Sequence, residues 1–97
     1  MAILEIIRQK LLSREYIFRE HIYDKLEEIN RIYGTNLTID DVKDVILGGE
    51  LIEILDKDER GTRYVIGGMA SDDQTDLEIV CRIKNNLVII TVYVPYF

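Results

Sequence analysis

The 97 residues predict an α+β domain in which two to three N-terminal helices pack on one face of a four-stranded antiparallel β-sheet. Three observations carry this. Apolar residues recur at helical spacing as far as Ile46, and the pattern turns to strand-like alternation after Gly49. The chain then closes on LEIVCRIKNNLVIITVYVPYF, two apolar runs around a pair of asparagines. Helices followed by a meander of strands segregate into two layers, because a sheet with one apolar face needs cover. A length of 97 residues, 47% of them hydrophobic, suits one domain over 1–97 with a single modest core.

The first helix spans 2–12, where Ile3, Leu4, Ile7 and Leu11 share a stripe opposite Glu5, Arg8 and Gln9. Tyr16, Ile17 and Phe18 form a short apolar knot that fits an extended linker or the entry to the next helix equally well. A second helix runs from about Glu20 to Tyr33, with Ile22, Leu26, Ile29 and Tyr33 inward and Asp24, Lys25, Glu27, Glu28 and Arg31 outward, and Gly34 ends it. In TIDDVKDVILGG, Thr38 and Asp41 have the spacing of a capping box, Val42, Val45 and Ile46 point inward, and Gly48 with Gly49 stops the helix.

Strands follow at ELIEIL and TRYVIGGM, joined through the polar DKDERG turn, and the polar ASDDQTD break leads to the last hairpin. Two asparagines can supply the positive-φ residues of a type I′ turn at 85–86. That turn sets Lys84 opposite Leu87, Ile83 opposite Val88, Cys81 opposite Ile90, Ile79 opposite Val92 and Leu77 opposite Val94. Ile79, Cys81, Ile83, Val88, Ile90 and Val92 then face the helices together. The second face pairs Arg82 with Ile89, Val80 with Thr91 and Glu78 with Tyr93, and Pro95 ends the ladder. The outer strands leave edges open to another chain, including a second copy.

The net charge is −6, and both halves are acidic, with 7 Lys/Arg against 10 Asp/Glu in residues 1–50 and 5 against 8 beyond. General nucleic-acid affinity rests on cations displacing counterions, so this balance opposes it while leaving room for a local cationic pocket. The single Cys81 cannot form an internal disulfide, and Glu5, Arg8 and Lys10 interrupt any signal-peptide core, so a cytoplasmic location is expected. No stretch reaches the roughly 20 apolar residues of a membrane span. Neither DKDE nor SDDQTD has EF-hand spacing, and no GxGxxG or P-loop surrounds the glycine pairs, so neither metal nor cofactor is expected.

Few residues carry chemistry. His21 can shuttle protons near neutral pH or serve as a surface residue, and Cys81 reads as a small buried apolar side chain. Arg60, Arg63, Arg82 and Lys84 are the cations of the β half outside DKDE. An arginine such as Arg63 on an open sheet face can fork onto a phosphate or pair with neighbouring carboxylates. Arg82 can reach diagonally toward Thr91, and Tyr93 sets a hydroxyl at the rim.

These residues fall into a pattern. REHIYDK with His21, TIDDVKDVILGGELIE, RGTRYVIGG, LEIVCRI and LVIITVYVP occur in the order of a family of small prokaryotic proteins catalogued as a domain of unknown function, and the chain resembles that family over nearly its whole length. The family looks like a relative of the RelE and BrnT type toxins, small α+β ribonucleases neutralised by an antitoxin, some of them encoded beside zinc-finger antitoxins. The resemblance implies a toxin ancestry and a RelE-toxin-like version of the predicted α+β fold, and it carries over His21, Arg63, Thr91 and Tyr93 by motif position; Arg82 joins them only because it shares their sheet face. The chain departs from the pattern where Lys25 and Ile29 replace two expected arginines, and where the extra RIYGTN lengthens the connection before Leu37.

Two functions are expected from this. In the first, a metal-free ribonuclease of a toxin–antitoxin pair uses the 2′-hydroxyl as nucleophile, with His21 or Tyr93 moving protons and Arg63 with Arg82 stabilising charge; its partners are RNA or the ribosome and an antitoxin. In the second, a non-catalytic module holds a partner protein, or a copy of itself, along an edge strand or the half-apolar face.

Overall fold

The computed structural model describes residues 2–95, without the side chains of 56–58. Three helices, α1 (Ile3–Leu12), α2 (His21–Tyr33) and α3 (Ile39–Gly48), accompany five strands: β1 (Tyr16–Phe18), β2 (Glu50–Asp58), β3 (Gly61–Met69), β4 (Asp76–Lys84) and β5 (Asn86–Tyr93). They form one sheet in the order β1-β5-β4-β3-β2. The α+β layering expected from the sequence is present, but the sheet has five strands and not four. The added strand is the apolar knot at 16–18, which pairs parallel to β5 with Tyr16 opposite Leu87 and Phe18 opposite Ile89. Three residues carry no readable period, so only the waiting edge of β5 decides that they are a strand.

The helix ends follow local chemistry. Gly34 closes α2 at φ +67, a left-handed conformation that glycine adopts without a Cβ penalty. Thr38 and Asp41 form the capping box of α3, the Thr38 N–H donating to the Asp41 carboxylate at 2.8 Å. At the other end of α3, Arg8 of α1 donates through Nε to the Ile46 carbonyl at 3.0 Å and through Nη2 to that of Gly49. A cation there suits the negative helix terminus and ties α1 to α3. Gly49 can only be glycine, because a Cβ would run into the carbonyl oxygens of Gly67 and Val45.

The core lies between the helices and one sheet face. Ile7, Ile22, Val42 and Ile46 meet Ile66, Leu77, Ile79, Cys81, Leu87, Ile89 and Val92, all of them at 0% exposure. The helices lie over β3, β4 and β5.

The final hairpin corrects the expected register. Glu78, Ile79 and Val80 do face Tyr93, Val92 and Thr91, but nearer the turn Cys81 faces Ile89, Arg82 faces Val88 and Ile83 faces Leu87. A bulge at Ile90 absorbs one residue, and the chain reverses around Asn85 alone, at φ +64. An extra residue inverts the alternation on the turn side of the bulge. Leu87 and Ile89 are therefore buried in the core, whereas Val88 and Ile90, expected there, are only half-buried. The shift also serves β1: the Leu87 N–H donates to the Glu15 carbonyl and the Ile89 carbonyl accepts from the Arg19 N–H. The first hairpin is tighter than expected, with β2 continuing to Asp58 and β3 starting at Gly61.

Candidate functional site

Among the described residues the second face of the sheet has no helical layer, and its composition follows from the ladder. Val65 pairs with Val80, Val80 with Thr91 and Glu53 with Val65, which sets one row across the sheet. Along the strands, alternate residues share the face, adding Arg63 and Gly67 on β3, Glu78 and Arg82 on β4, and Tyr93 on β5. Val65 and Val80 are 1% and 6% exposed although both lie outside the main core. The face is thus an apolar floor rimmed by charge.

Four of the five candidate catalytic residues, Arg63, Arg82, Thr91 and Tyr93, lie on this face, at separate places along it. Arg63 and Arg82 occupy the positions that follow the Tyr64–Cys81 pair on the turn side, and so stand side by side on adjacent strands. Arg82 Nη1 donates to the Arg60 carbonyl at 2.8 Å. Arg63 Nε is buried with no hydrogen-bond partner among the described residues. Such a donor carries an unmet desolvation cost. Thr91 is half-buried in the valine row.

Tyr93 lies at the opposite end of the face, where its hydroxyl donates to Glu78 Oε1 at 2.7 Å. Burial, this hydrogen bond and the charges of Glu78 and Glu53 push its pKa up to about 12. The phenol is therefore neutral at physiological pH and can donate but not abstract a proton. Strand rise and strand spacing put the Cα atoms of Arg63 and Tyr93 about 16 Å apart, so the side chains converge only through a ligand that spans the face. Beside Glu78, Ile52, Gly67, Gly68 and Pro95 line a depression of about 200 Å³, and Ile52 covers the bare Gly67.

His21 does not join this group. It is the first residue of α2, exposed to solvent, and α2 packs on the covered side of β5. Cys81 is in the core, where burial raises its thiol pKa to about 12. Glu78 and Glu53 are polar members of the face beyond the candidate residues expected from the sequence. The signal for Glu78 was present, since the expected register already placed it across from Tyr93. Among the described residues no group of three or more His, Cys, Asp or Glu side chains is arranged to hold a metal ion, and the side chains of 56–58 in the DKDE turn lie outside that description. No helix among the described residues is long and apolar enough to cross a membrane.

Residues 18–94 match a family model described as "Domain of unknown function (DUF4258)". No curated protein and no solved structure matches the chain significantly.

Proposed function

The chain belongs to the DUF4258 family, and from that premise we propose that it is a toxin-like protein whose open sheet face takes an extended RNA strand and cleaves it without a metal. The observation that carries this reading is the buried Nε of Arg63, which has no hydrogen-bond partner among the described residues, on the strand next to Arg82. Arg63 and Arg82 hold one phosphate, Thr91 and the valine floor support the intervening nucleoside, and the depression by Gly67 receives a neighbouring base. With His21 in the other layer, proton transfer falls to the Tyr93–Glu78 pair. Glu78 accepts the 2′-hydroxyl proton as that oxygen attacks the adjacent phosphorus and the P–O5′ bond breaks; the neutral Tyr93 hydroxyl, released from the now protonated Glu78, gives its proton to the departing 5′-oxygen and regains one from Glu78. An antitoxin would block the same face, and the cytoplasm, where mRNA and ribosomes are found, is the expected site of action. Controlled expression in a bacterial host tests this: growth arrest with falling mRNA levels, relieved by R63A, is expected, and undisturbed growth with normal mRNA eliminates the reading.

A second reading, a non-catalytic interaction module, is favoured by the outer strand. Ile52 and Ile54 on β2 are 53% and 57% exposed, beyond the strands over which the helices lie. An edge strand with exposed isoleucines suits strand addition by a partner or a second copy. Light scattering of the wild type and of I54K distinguishes it: a dimer that the lysine dissociates supports the module, and a monomer in both removes the second-copy form.

A further inference from the structure

We propose a second binding site in the helical layer: the groove between α2 and the 35–39 connection docks a short cationic amphipathic segment of a partner protein. The groove measures about 440 Å³ and is walled by Tyr23, Leu26, Glu27, Leu37, Thr38 and Ile39. Leu26 and Leu37 are 4% and 5% exposed and make the floor, while Tyr23, 56% exposed, stands at the rim.

The groove is preformed. Asn30 of α2 donates through Nδ2 to the Leu37 carbonyl at 2.9 Å. Its Oδ1 accepts from the Thr35 hydroxyl at 2.7 Å and from the Leu37 N–H at 2.8 Å. One side chain thus fixes the far wall to the near one, and a fixed cleft spares its ligand the cost of ordering it. The pinned segment is the connection from the end of α2 to α3, so the loop that joins the two helices also builds the wall.

Charge selects the occupant. Glu27 lines the groove and also a neighbouring depression of about 290 Å³ shared with Asp24, Glu28 and Arg31, three carboxylates to one cation. Lys43 of α3 is held over the Tyr16 ring at 5.1 Å. An apolar slot continuous with an acidic ledge, on a chain of net charge −6, repels phosphate and suits a bulky apolar anchor followed by Lys or Arg one helical turn away. The site lies on the other layer from Arg63 and Tyr93, so it is independent of any RNA chemistry on the open face.

The full chain, labelled with nitrogen-15, is titrated with a 14-residue peptide carrying one Phe and a lysine face, beside a scrambled peptide of equal composition. Expected are saturable amide shifts confined to residues 23–30 and 35–39, with the dissociation constant raised at least tenfold by E27K and by Y23A. Both substitutions are at exposed positions, and circular dichroism verifies the fold. Absence of shifts, equal binding of the scrambled peptide, or affinity unmoved by both variants overturns the proposal. So does a concentration-dependent shift of the same amides without peptide, which identifies a second copy as the occupant.

Discussion

Tyr93 donates its hydroxyl hydrogen to Glu78 across the β4–β5 ladder at 2.7 Å, and the same pair sets the polar end of the open face. Its titration has a definite sign. The folded pKa, about 12, lies above the ordinary value of 10.0, so the bond's contribution is complete below pH 10 and disappears as pH rises through 12. Y93F should cost about 1 kcal/mol at neutral pH. The gap between wild type and variant should close between those two pH values in urea unfolding, and a gap independent of pH contradicts the assignment.

Asp41 links the start of α3 to the β3–β4 turn by accepting from Thr38 N, from the Ser71 hydroxyl and from Ser71 N. Burial disfavours its charge, but the bonds from Ser71 and Thr38 outweigh burial and hold the carboxyl below its usual range. D41A should cost about 1–3 kcal/mol at pH 7. A depressed pKa means that this stability is present above the unfolded value near 3.8 and lost as pH falls through the folded one. The wild type and D41A should therefore converge in acid, as denaturation at pH 7 and in strong acid will show.

The bulge at Ile90 makes a prediction opposite to that of the unbroken hairpin. Leu87 is at 0% exposure in the core and Val88 is half-buried on the other face. L87A should cost about 2–5 kcal/mol and V88A about 1 kcal/mol or less. Equal losses, or a larger loss for V88A, would restore the unbroken register.

Much of this fold is legible in the residues because its signals are local. Gly34, the Thr38–Asp41 box and the Gly48–Gly49 stop are decided within a few positions, and the outer half of the last hairpin follows from alternation. What is not legible depends on distant partners. Tyr16–Phe18 becomes a strand because β5 offers an edge, and Ile90 bulges because Leu87 and Ile89 gain both core and β1 contacts. The same division holds for the site. Strand alternation put Arg82, Thr91 and Tyr93 on one sheet face, where the ladder has them, whereas His21 was attached by motif, and motif order says nothing of which layer a residue joins.

Arg63 separates stability from binding. Replacing it with methionine removes a buried donor that lacks a partner among the described residues, so R63M should leave stability unchanged or raise it by about 1 kcal/mol. Its affinity for a short single-stranded RNA should fall at least tenfold in filter binding. A variant that is destabilised yet binds normally would make Arg63 a structural residue.

The most direct measurement is chemical analysis of RNA ends after incubation with purified protein, with and without ribosomes, in chelator. The proposed mechanism yields 2′,3′-cyclic phosphate and 5′-hydroxyl ends with wild type, and intact RNA with the double variant R63A/R82A. Intact RNA with the wild type, or cleavage indifferent to both arginines, would contradict a catalytic role for the open face.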